Sequence, residues 1–159
     1  MEDWELIGMR SMTTAVFVDS TTLIYPLDPT VPQKQAAARA WLKTLREMDR
    51  LVMSIQIINE CYAVVRRKPA FAQVRTGVRA YLSDYAAWAT APLDFDTVER
   101  GWRLEDRYRV GSRDALALAS AKAVGCAYFL SEDLSDRQAY DGVTVINPFR
   151  HAPDTVLGR

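Results

Sequence analysis

The 159 residues suit one ordinary domain, and 20 basic against 20 acidic residues argue against a protein held to nucleic acid by bulk charge alone. A single histidine, His151, excludes histidine-pair acid/base catalysis and multi-histidine zinc sites. Hydrophobic residues at 49% and charged residues at 25% describe a soluble globular protein, with no apolar run near the ~18–20 residues of a bilayer span. No basic flank with an apolar stretch opens the chain, which speaks against a secretory signal and for the cytoplasm. Cys61 and Cys126 stand in apolar contexts and read as buried thiols, with no disulfide framework.

Residues 1–12 read as an N-terminal extension, 13–150 as the domain and 151–159 as a C-terminal tail. Met9 and Met12 both precede the first strand closely, so a native start at either is an open alternative to Met1. Ala15 to Val18 is a short apolar run of the kind a strand covered on both faces shows. After Pro26-Leu27-Asp28-Pro29, a helix opens near Pro32, with Ala36, Ala37, Ala40, Trp41, Leu45 and Met48 at helical spacing. Leu51 to Met53 reads as a second strand. Ser54 is placed to cap a helix whose face is Ile57, Ile58, Cys61, Tyr62 and Val65, and Pro69 ends it.

A further helix is expected from Phe71 to Ala89, then a weak strand at Ala91-Pro92-Leu93. Asp96-Thr97-Val98-Glu99 has capping-box spacing for a helix running through Trp102 to Tyr108. Gly111 breaks that helix, Ser112 caps the next, and Gly125 closes it. Cys126 to Leu130 and Val143 to Ile146 complete the strands. The Trp41, Trp88 and Trp102 stripes read as core. Strands alternating with helices indicate an α/β domain with a mainly parallel sheet, in which ligands bind beyond the carboxyl ends of the strands.

That edge is where the acids fall. Asp19 and Asp133 follow strands, while Glu60 and Asp114 lie near helix starts. Each has a plain alternative reading: Asp19 as a strand end, Asp114 as a favourable partner of a helix dipole, Glu60 as a solvated helix acid. Together they matter more, because two carboxylates about 5 Å apart repel by roughly 3 kcal/mol at an effective dielectric near 20. A hard divalent ion reverses that sign, and oxygen-only ligands point to Mg2+ or Mn2+. Ser20 and Thr21 have no histidine base beside them, so serine-type catalysis is not indicated. Arg66-Arg67-Lys68 and the set Arg100, Arg103, Arg107, Arg109 and Arg113 are either solvated faces or phosphate contacts, with Arg113 the foremost candidate.

Several segments carry a family resemblance. Val16-Phe17-Val18-Asp19 through Tyr25, Ser54 through Glu60, Ser112-Arg113-Asp114-Ala115-Leu116 with Ala119-Ser120-Ala121, Leu130-Ser131-Glu132-Asp133-Leu134, and Gly142 through Phe149 appear in that order. Over roughly residues 13 to 149 the chain resembles the PIN-domain ribonucleases, and among them the VapC-type toxins of bacterial type II toxin–antitoxin pairs. The resemblance implies a three-layer fold with about five short, mainly parallel strands flanked by helices. It also implies Mg2+-dependent (or Mn2+-dependent) hydrolysis of RNA phosphodiester bonds by an endoribonuclease. Asp19, Glu60, Asp114 and Asp133 become the catalytic set, with Asp19 and Asp114 as direct metal ligands and Glu60 and Asp133 orienting waters or a second ion. Ser20, Thr21, Glu132 and Asp136 become supporting residues around them. A small VapB-type antitoxin and a homodimer are the implied partners, and no membrane.

One departure stands out. The family commonly has asparagine two residues after the first acid, and this chain has Thr21. Two alternatives stay open: a receiver-type phosphoacceptor module, and a catalytically silent PIN-like domain that binds RNA or an antitoxin. A receiver module wants an acidic pair at the first strand and a lysine after the last, whereas this chain has single Asp19 and no lysine after Lys122.

Overall fold

The computed structural model describes residues 15–158, so the expected N-terminal extension lies outside the described residues. Five short strands form one sheet. They are β1 (Val16–Val18), β2 (Leu51–Val52), β3 (Tyr128–Leu130), β4 (Ala139–Tyr140) and β5 (Val143–Ile146), in the order β2-β1-β3-β5-β4. All neighbours are parallel except β4, which runs antiparallel to β5. The helices are α1 (Ser20–Ile24), α2 (Pro32–Glu47), α3 (Ile55–Arg67), α4 (Val78–Ser83), α5 (Phe95–Tyr108), α6 (Ser112–Ala123) and α7 (Pro153–Leu157). The expected α/β architecture with helices flanking a mostly parallel sheet is therefore present.

The three inner strands are apolar because neither face sees water. Val16, Phe17, Val18, Phe129, Leu130 and Val145 are buried, and Phe17 stacks on its register partner Phe129 with ring centroids 5.2 Å apart. Helix α2 buries Ala38, Trp41, Leu42 and Leu45. The Trp41 indole Nε1 donates to the carbonyls of Pro148, at 3.1 Å, and His151, at 2.9 Å, pinning the exit of β5 to α2. Helices α5 and α6 approach closely because Gly101 faces α6, where a Cβ would meet the Leu116 Cα at 3.2 Å. Beyond residue 150 the chain turns into α7, with Val156 and Leu157 packed against the core.

Three expectations need correction, and one strand was not expected. The Phe71–Ala89 stretch is not one helix. It is three 3-10 turns around the six-residue α4, interrupted at Gly77 and after Ser83, although Phe71, Val78, Leu82 and Tyr85 still bury their side chains. Ala91–Leu93 is not a strand. Met53 donates to the Trp88 carbonyl and Ala91 donates back to Met53, but Pro92 has no N–H to continue the ladder. The edge strand is instead β4, joined to β5 through Asp141-Gly142, both at positive φ, as a two-residue hairpin requires. Finally, Trp102 is not core: it is 53% exposed and packs edge-on against exposed Phe95, their centroids 5.9 Å apart.

The caps also shift. Asp94, not Asp96, heads α5, accepting from the Thr97 N–H and hydroxyl. Gly111 stands at the N-cap of α6, one residue before Ser112, and the Ser54 hydroxyl, buried, makes no cap bond to α3.

Candidate active site

Val18 ends β1, and Asp19 follows with extended backbone as the N-cap of α1. Its carboxylate accepts from the Thr22 N–H at 3.1 Å and the Thr22 hydroxyl at 2.9 Å. The Thr21 hydroxyl lies 3.0 and 2.9 Å from its two oxygens. Thr21 thus orients the acid directly. Burial is nevertheless the larger influence, pushing the Asp19 carboxyl up to about 7, with the Asp133 charge adding to the rise. An acid that binds its proton this tightly is one the fold has left short of positive charge.

Asp114 is the third residue of α6. Burial raises its pKa first, then the charges of Asp133 and Glu60, while Arg113 lowers it. Asp133 follows β3, its N–H bonded to the buried Ser131 hydroxyl at 3.1 Å. Glu60 sits in the second turn of α3, held by the Gln56 amide at 2.9 Å and by Arg113 Nε at 3.2 Å. Asp19, Glu60, Asp114 and Asp133 all line one cleft of about 700 Å³, together with Ser20, Thr21, Arg67, Lys68 and Arg113. The topology explains the meeting: β1 and β3 are adjacent and parallel, so the residues after them emerge side by side.

Two sequence candidates stand elsewhere. Glu132 accepts from the Tyr25 hydroxyl at 2.8 Å and pairs with Lys34 at 2.6 Å. Asp136 accepts the Asn147 N–H at 2.8 Å and pairs with His151 Nε2 at 2.7 Å, closing the loop around β5. Neither lines the cleft. Of the second basic set, Arg100 pairs with Asp96 and Arg107 with Asp141. Two residues that hold the acids were not singled out in the sequence: Thr22 and Gln56. Their signal is spacing, a hydroxyl three residues after the strand-end Asp19 and an amide one helical turn before Glu60. Both thiols are buried as expected, and burial pushes each up to about 12.

The donors suit a hard divalent ion. All are oxygens, they raise one another's proton affinity, and the cleft has room for an ion that keeps most of its waters. Among the described residues no three acids, cysteines or histidines stand close enough to enclose an ion by themselves. One or two carboxylates with water suits magnesium better than a protein cage. No helix among the described residues is long and apolar enough to cross a membrane.

The PIN domain profile matches residues 16–140, from β1 through β4, and includes all four acids. No match is found among curated proteins. The matched region covers well over half of the chain, and the chain belongs to the PIN-domain family.

Proposed function

We propose that the chain is a magnesium-dependent endoribonuclease, the toxin of a toxin–antitoxin pair. PIN domains are generally nucleases. The observation that carries the reading is the convergence of four acids from separate segments in one cleft with Arg67, Lys68 and Arg113 at its rim. Asp19 and Asp114 are the residues to hold the ion, and Mn2+ would suit the same oxygens. A divalent ion held there would lower the pKa of a bound water and shield charge on phosphoryl oxygens. Glu60 and Asp133 orient water at the reacting phosphorus, and Thr21 and Thr22 keep the Asp19 carboxylate aimed. The rim cations take the negative RNA backbone on either side of the cut bond.

The partner reading rests on a neighbouring groove. It is about 990 Å³, lined by Ile55, Ile58, Tyr62, Leu82 and Leu93, and it shares Glu60 with the cleft. An amphipathic antitoxin segment seated there would lie beside the acids, in the helix-in-groove manner. The exposed Phe95–Trp102 pair favours a second copy of the chain as a further partner.

The test is cleavage of single-stranded RNA by purified protein. Magnesium should support cutting and a chelator abolish it, and Asp114→Asn should slow it at least about 100-fold, as loss of a directly acting group does. An Asp114→Asn protein that cuts as fast as the parent removes the acids from the chemistry.

A further inference from the structure

Three cations line the rim of the acidic cleft, and they differ. Arg67 and Lys68, at the end of α3, make no ion pair among the described residues, whereas Arg113 is bound to an acid of the cleft. Its Nε lies 3.2 Å from Glu60 Oε1, with the two side chains 71% and 18% exposed. The same guanidinium bears electrostatically on Asp114 and Asp133. Glu60 does not depend on it for direction. The Gln56 amide donates to the same Oε1 at 2.9 Å and reaches the Arg113 carbonyl at 3.4 Å, so the carboxylate stays aimed if the guanidinium leaves.

We infer that Arg113 is an exchangeable counter-ion of this site: it occupies Glu60 while no metal is present, yields to a divalent cation, and then takes a phosphate of the RNA strand. The inference rests on the proposed nuclease reading of the cleft. An exposed ion pair shifts an equilibrium by no more than about fivefold, so a divalent ion competing for the same carboxylates displaces it readily. The freed fork suits a phosphate, which it grips by two parallel N–H bonds. Filling the acids with metal thereby releases a substrate contact, and the two binding events reinforce each other.

The experiment is Mn2+ titration by calorimetry at low ionic strength on the full chain. The parent, Arg113→Gln, Glu60→Gln and the double variant are compared, beside anisotropy of a short labelled single-stranded RNA without metal and with saturating Ca2+, a hard divalent ion for the same oxygens. Arg113→Gln should bind Mn2+ about two- to fivefold more tightly, the size of the exposed pair it removes. That gain should shrink in the Glu60→Gln background, and Arg113→Gln should weaken RNA binding with the divalent ion present more than without it. Metal affinity unchanged by Arg113→Gln, a gain undiminished without the Glu60 carboxylate, or an RNA affinity that Arg113→Gln lowers no more with the divalent ion than without it overturns the inference alone. A parent that binds no Mn2+ overturns both the inference and the nuclease reading.

Discussion

Asp19→Asn should raise the metal-free melting temperature near pH 8 by roughly 10 °C, at about 2–4 °C per kcal/mol for a chain of this size. Burial holds the folded-state carboxyl at about 7, well above the ordinary 3.8. Between those values the folded chain binds more protons than the unfolded one, so stability falls as pH rises from about 4 to about 7. A gap of roughly 3 pH units is worth about 4 kcal/mol, fully lost above that window and retained below it. Asparagine has no charge to bury, and its carbonyl oxygen still accepts from the Thr22 N–H at the cap. The variant's melting curve should therefore lose this pH dependence and coincide with the parent's near pH 3, where both side chains are neutral. A parent whose metal-free stability does not fall between pH 4 and 7, followed by thermal unfolding, contradicts the burial argument. The same substitution should abolish RNA cleavage, so stability and activity move in opposite directions at one residue.

Trp41→Ala should destabilise the fold by about 3–5 kcal/mol, or roughly 10 °C in melting temperature. The indole is 1% exposed, and its Nε1 holds the Pro148 and His151 carbonyls. Removing it leaves a cavity and frees the β5 exit from α2. Trp41→Phe retains much of the packing and should cost only about 1–2 kcal/mol, the loss of the hydrogen bond. Equal losses in the two variants, measured by urea unfolding, would show that the ring's bulk contributes little.

How much the sequence disclosed depended on range. The alternation of Ala15–Val18, Leu51–Met53, Cys126–Leu130 and Val143–Ile146 with helices made the sheet legible, because strands buried on both faces read as plain apolar runs. The meeting of Asp19 and Asp133 was legible for the same reason, since parallel strands deliver their succeeding residues to one edge, while Glu60 and Asp114 reach it from the first two turns of helices. The receiver-type alternative gives way to PIN-family membership. The apolar stripe from Phe71 to Tyr85 identified the buried face but not the backbone, because a stripe at helical spacing survives in a chain broken into 3-10 turns. Edge strand β4 has only two residues, and its mark was the Asp141-Gly142 turn rather than any periodicity. Glu132 and Asp136 flank Asp133, which lines the cleft, yet their direction is set by distant partners, Lys34 and His151, that local sequence does not connect to them. Trp102 looked like core because an exposed aromatic at helical spacing has the same sequence pattern as a buried one.

The proposed chemistry requires Asp19 and Asp114 to hold one cation between them. Its most direct test is the melting temperature of the parent, Asp19→Asn and Asp114→Asn near pH 8, with and without millimolar magnesium. An ion present at roughly tenfold its dissociation constant should raise the parent by about 3–6 °C and each variant by much less. A parent that melts at the same temperature in both buffers, or variants that gain as much as it does, would contradict a shared cation at these acids.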